Sequence, residues 1–133
     1  WRRSLKLIMA KLERIVKIKD INFVVEVVST PTDTAKGLSG RAALKPRTGM
    51  FFILQSPTQF WMKDMQFSLD IIWIGDTGKI VDITKDAKPS PPETPMWLLP
   101  LYSSRLPAKY ALEINAGEAD SFQLSIGDRV TYY

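Results

Sequence analysis

The chain has 133 residues, 45% hydrophobic and 24% charged, which suits one globular domain with a core of its own. It contains neither histidine nor cysteine. That excludes Ser-His-Asp and Cys-His catalysis and any thiolate or imidazole metal site within the chain, leaving only oxygen-liganded metals open. The formal charge of +4 is unevenly spread: Arg2, Arg3, Lys6, Lys11, Arg14, Lys17 and Lys19 face Glu13 alone in residues 1–19, and the remainder has 11 basic and 13 acidic residues. The body is therefore nearly neutral, and no nucleic-acid partner is expected for it.

Residues 1–13 read as a basic N-terminal arm, and residues 14–133 as a single domain. Leu5, Ile8, Met9 and Leu12 recur at helical spacing among the basic residues, which suits either a membrane-surface or anionic-partner arm or a plain tether. No stretch approaches the roughly 20 apolar residues of a membrane span, and none has the form of a secretory h-region. Since the first residue is Trp1, a segment ahead of it is expected to have been removed, and a signal or anchor could have been in that piece.

Ile15, Val16 and Ile18 predict a first strand, Asp20–Asn22 a turn, and Phe23–Val28 a second strand that pairs with the first as a hairpin. Glu26, inside that second strand, is expected at a solvent-facing edge. Thr30 is a good helix N-cap, Pro31 suits the first helical position and Asp33 the third, so a short helix follows and ends at Gly37 or Gly40. Arg41, just beyond, either caps carbonyls or reaches inward to a carboxylate. Gly49–Leu54 is an apolar strand, and Gln55–Thr58 with Pro57 a loop.

Phe67–Ile74 has strong strand preference. Phe67, Leu69, Ile71 and Trp73 point one way, and Ser68, Asp70, Ile72 and Ile74 the other. Both faces are largely apolar, which predicts a central strand covered on both sides and makes Asp70 a carboxylate in need of a partner. Gly75–Gly78 is a hairpin turn, and Lys79–Thr84 returns antiparallel. Residues 87–107 hold six of the nine prolines and form a long Pro-rich loop. Its Met96, Trp97, Leu98, Leu99, Leu101 and Tyr102 are expected to pack over the body, either as a lid for a ligand or protein partner or as a cover for a sheet edge. Ala108–Asn115 is another strand, with Tyr110, Leu112 and Ile114 on one face and Ala111, Glu113 and Asn115 on the other. A short helix or turn and a closing strand, Arg129–Tyr133, complete the chain.

The ordered motifs Phe60-Trp61-Met62-Lys63, Leu69-Asp70-Ile71 and Leu112-Glu113-Ile114-Asn115-Ala116-Gly117 resemble the DUF192 family of uncharacterised bacterial and archaeal domains. Glu26, Thr30-Pro31, Gly37-Leu38, Arg41 and Gly127-Asp128-Arg129-Val130 extend the resemblance over roughly Ile18 to Val130. It implies an α+β fold, mainly antiparallel β, as a compact sandwich or partly open barrel with one or two short helices. It also implies an extracytoplasmic or membrane-tethered location. It brings no established activity, cofactor or catalytic residue. Asp64-Met65 stands where Asn-Thr is usual, and the Pro-rich loop lacks a cysteine that many members carry.

Arg41, Trp61, Lys63, Asp70, Glu113 and Asn115 are the polar or amphipathic members of these motifs and form the candidate site. In one reading they line a groove under the Pro-rich loop, with Trp61 as a stacking face and the polar groups holding a small polar ligand or a cell-envelope glycan. In a second, Asp70 and Glu113 pair with Arg41 and Lys63 and only hold the fold, in a structural or protein-interaction domain. In a third, Asp70 with Glu113 or Asp64, about 5–9.5 Å apart, performs carboxylate hydrolysis. Asp64 and Asp70 could also contact calcium, but no EF-hand spacing is present, so neither a metal nor another cofactor is assigned.

Overall fold

A computed structural model describes residues 13–133. The expected basic arm lies outside the described residues, apart from Glu13, which already begins the first strand. The order is β1 (Glu13–Ile18), β2 (Ile21–Val28), α1 (Pro31–Lys36), β3 (Thr48–Ile53), β4 (Leu69–Ile74) and β5 (Ile80–Ala87). A 3-10 turn (Met96–Leu98), β6 (Tyr110–Asn115), α2 (Glu118–Ser121) and β7 (Val130–Tyr132) follow.

The seven strands form one sheet in the order β5-β4-β6-β3-β2-β1-β7. Every neighbouring pair is antiparallel except β2 and β3. That exception follows from α1, because a strand-helix-strand crossover returns the chain in the same direction. The sheet curls into a half-barrel whose end strands meet at one corner. Ile80 N–H donates to the Asp128 carbonyl at 2.9 Å, and Val130 N–H to the Gly78 carbonyl at 2.8 Å. The partly open barrel is thus the architecture, not the sandwich.

The β1–β2 turn is Lys19-Asp20, shorter and earlier than the sequence suggests. Lys19 takes a left-handed backbone conformation (φ 56°), and its ammonium is held by the Gln123 carbonyl and Asp128. β2 lies inside the sheet, so Glu26 is not an edge residue. It is half-buried and ion-paired.

Each face of the sheet carries its own core. Val16, Phe23, Phe51, Ile72, Leu112 and Ile114 fill the hollow of the half-barrel. Met50, Phe52, Leu69, Ile71, Trp73 and Ala111 cover the outer face, under Leu38, Phe60, Met62 and Met65. β4 is buried along its whole length, and its two faces divide as the alternation requires. Gly49 is demanded by the close approach of β3 to β6: a Cβ there would collide with the Glu113 carbonyl oxygen.

Residues 88–109 contain only the 3-10 turn and a one-residue bridge, Phe60 to Tyr102. Leu99 is buried and Tyr102 half-buried, but Met96, Trp97, Leu98 and Leu101 stand in solvent, with Trp97 84% exposed. The expectation that all six pack down is corrected for these four. Pro95 and Pro100 bracket the turn and withhold the amides that would pair it with the sheet. The segment is tied back by Arg105, whose backbone N–H, Nε and guanidinium all donate to the buried Asp82 on β5.

Candidate functional site

The outer face of the sheet opens into a groove of about 440 Å³. One wall is α1 with residues 37–39, the other is residues 54–62, and Leu101 reaches in from the Pro-rich segment. Sequence chemistry places the first wall. The Thr30 hydroxyl accepts the Asp33 N–H at 3.1 Å, Pro31 occupies the first turn, and Gly37 (φ 48°) ends the helix by donating to the Asp33 carbonyl. The chain beyond is fixed to the second wall, since Gly40 N–H donates to the Asp64 carbonyl at 2.9 Å. The second wall is held in turn by reciprocal backbone bonds between Phe60 and Tyr102, both 2.8 Å. Phe60 stacks between Phe52 (4.8 Å) and Trp73 (5.4 Å).

Glu113 of β6 lies opposite Met50 of β3 and Ile71 of β4, and so points to this outer face. It is 5% exposed, lines the groove and makes no side-chain hydrogen bond among the described residues. Burial pushes its carboxyl up to about 8. The acid is therefore largely protonated at neutral pH. A Cβ on Gly37 would stand 4.0 Å from Glu113 Oε1 and 3.7 Å from the Phe52 ring, so the bare glycine keeps the space over the acid open. Trp61 stands at the mouth, 36% exposed, with Lys63 Nζ 5.7 Å from its ring centroid.

DUF192, described as "Uncharacterized ACR", matches residues 14–132. The chain belongs to this family. Two solved structures share the DUF192 fold seen here. A candidate transcription regulator from Sinorhizobium meliloti 1021 is 28% identical, with a TM-score of 0.80, covering 92% of this chain and 95% of its own. A protein of unknown function from Novosphingobium aromaticivorans DSM 12444 is 28% identical, with a TM-score of 0.76, covering 90% and 84%. No curated protein matches the chain.

Of the six residues that the DUF192 motifs single out, the structure brings Trp61 and Glu113 to the groove. Lys63 stays at its rim on Trp61. The other three are used elsewhere. Asp70 faces the inside of the half-barrel, where Oδ1 accepts the Asp86 N–H (2.9 Å) and Oδ2 accepts those of Gly117 and Ala119 (both 3.0 Å). Its partners are backbone amides at the start of α2 and at an irregularity of β5, not Arg41 or Lys63. Arg41 instead pairs with Glu26 at 2.6 Å, both half in solvent. Asn115 donates to the Leu44 carbonyl at 2.8 Å and pins the chain ahead of β3. The expected Asp70–Arg41 or Asp70–Lys63 pairing is thereby corrected.

The Asp70–Glu113 pair expected for a carboxylate hydrolase is corrected too. Asp70 pairs across the sheet with Ile114, and Glu113 with Ile71, so the two acids open on opposite faces and cannot flank one bond. Asp64 is exposed. Asp82 was missed by sequence reasoning. Its signal, a lone carboxylate between Val81 and Ile83, is the same one that marks Asp70. Burial pushes the Asp82 carboxyl up, but the Arg105 side-chain and backbone hydrogen bonds outweigh it and hold the group below its usual range.

Proposed function

We propose that this DUF192 domain binds a small organic molecule in the groove beside Trp61, with Glu113 as the polar anchor at its floor. A single observation carries the reading: the carboxyl of a residue only 5% exposed, with no hydrogen bond to the protein among the described residues, opens into a concave space of ligand size. Its oxygens face that space, where water or a ligand supplies the bond. Leu54, Trp61 and Leu101 suit an apolar body, and Glu113 takes one polar end. Arg41, Asp70 and Asn115, expected to hold a glycan, are engaged away from the groove.

The test is a thermal-shift screen of neutral, anionic and cationic organic compounds on wild type and Trp61→Ala. A ligand at 100 times its Kd stabilises by about 2.7 kcal/mol, a rise of about 5–20 °C in Tm for a domain of this size. A hit weakened in Trp61→Ala supports the groove. A panel without any hit removes the reading.

A protein-interaction role for the Pro-rich segment is the second reading, favoured by the exposed Met96, Trp97 and Leu98 on one rigid turn. It predicts that Trp97→Ser abolishes a pull-down that Trp61→Ala leaves intact. An exported, tethered location belongs to the same proposal. Fractionation of the native chain would check it; among the described residues no helix is long and apolar enough to cross a membrane.

A further inference from the structure

We infer that the groove selects an organic cation, an alkyl- or arylammonium whose head meets Glu113 and whose body lies along Leu54, Trp61 and Leu101; this rests on the groove being a ligand site. The charged group at the floor is the Glu113 carboxyl; Ser39, Gln55, Ser56, Thr58 and Gln59 add neutral polar groups along the walls. The Glu113 carboxyl lies beside Gly37, and the Thr34 carbonyl ends 3.6 Å from where a Gly37 Cβ would stand. Among the lining side chains the one cation is Lys36, which is exposed. A ligand carboxylate or phosphate would thus meet an acid and no buried counter-charge. At the mouth stands the one partly exposed aromatic ring of the lining, Trp61. Such faces attract cations, and Trp61 already holds the Lys63 ammonium against its ring. An aromatic face with a single carboxyl is the chemistry that receives an ammonium group and rejects an anion.

An ammonium requires the carboxylate form of Glu113, whereas the empty groove holds the acid mostly protonated below about pH 8. Binding an amine therefore expels the Glu113 proton, and apparent affinity tightens about tenfold per pH unit up to about pH 8, then levels. The charged groups near Glu113 are Lys36 on α1, Lys63 and Asp64 beyond the second wall, and the Glu26–Arg41 pair past Met50. The chain has no histidine or cysteine, so no other side chain ordinarily titrates in this window.

The experiment is calorimetric titration of the whole chain with 2-phenylethylamine, 2-phenylethanol and 3-phenylpropionate at pH 6, 7 and 8, in buffers of different ionisation enthalpy. Expected are binding of the amine at least tenfold tighter than the alcohol, no binding of the acid, close to one proton released at pH 6, and tightening with pH. Glu113→Gln, near-isosteric and checked for folding by its melt, should weaken the amine at least tenfold and abolish proton release. The cation assignment is overturned if the alcohol or the acid binds as well as the amine, if no proton is released, or if Glu113→Gln binds the amine unchanged. Those results would leave the groove a ligand site. Failure of all three compounds, together with an empty thermal-shift screen, overturns the ligand site itself.

Discussion

Replacing Glu113 by glutamine should stabilise the protein increasingly as pH rises from 4.5 towards 8. Burial raises the Glu113 carboxyl from 4.5 to about 8 in the folded chain. Between those values the folded chain keeps a proton that the unfolded chain has released. Stability that is complete below pH 4.5 is therefore lost as pH climbs towards 8, by ~1.4 kcal/mol per pH unit. The deficit is about 3 kcal/mol at pH 7 and about 5 kcal/mol above pH 8. Glutamine has nearly the same shape and no proton to lose. The gap between Glu113→Gln and wild type should be close to its acid-limit value at pH 4.5. It should then widen in favour of glutamine by about 3 kcal/mol at pH 7, an upward shift in Tm of order 10 °C. Urea denaturation of both proteins at half-unit steps from pH 4.5 to 8.5 measures this, and the paired difference cancels every other carboxylate. A gap that stays constant across that range would show that Glu113 is solvated or paired in the folded chain, and the physical case for the groove would fall with it.

Other substitutions separate the groups that hold the fold from those that do not. Asp70→Ala strands three backbone amides and should cost about 3–5 kcal/mol in urea melts. Arg41→Ala breaks only a half-exposed ion pair and should cost less than about 1 kcal/mol by the same assay. Arg105→Ala should lower Tm at pH 7, and by progressively less as pH falls below the ordinary carboxylate range. The depressed Asp82 carboxyl contributes stability above the ordinary carboxylate range, and that contribution is lost as pH falls. Gly49→Ala forces a methyl into the Glu113 backbone and should cost about 3 kcal/mol or more, measured by chemical denaturation.

Much of the fold is written in local pattern. Alternation assigned the side chains of Leu69–Ile74 and Tyr110–Asn115 to the correct faces, and Thr30-Pro31-Asp33 marked the start of α1. The parallel β2–β3 pair was also within reach, because a helix between two strands demands it. Partnership was not legible. Asp70 and Glu113 look alike as acids in apolar strands, yet one receives three amides and the other none. The difference is made by the amides at the start of α2 and at the irregularity of β5, which meet Asp70 and have no counterpart at Glu113. Arg41 and Asn115 share the motifs without sharing the groove, since a side chain's neighbours depend on strand order and one-dimensional spacing carries none of it. Phe52, Phe60 and Met62 could not be told from core, because an apolar residue lining a cavity and one filling it have the same composition and period.

The seam that closes the half-barrel has a consequence for how the chain comes together. Val16 pairs with Tyr132, and Gly78 with Val130, so the corner forms between segments distant along the chain, the first pair more than a hundred residues apart. Long-range pairing is slow, because loop entropy is lost before any bond rewards it. The groove residues, from Ser29 to Glu113, all precede β7. As the chain emerges during synthesis, its binding surface can assemble while β1 and β5 still present open edges.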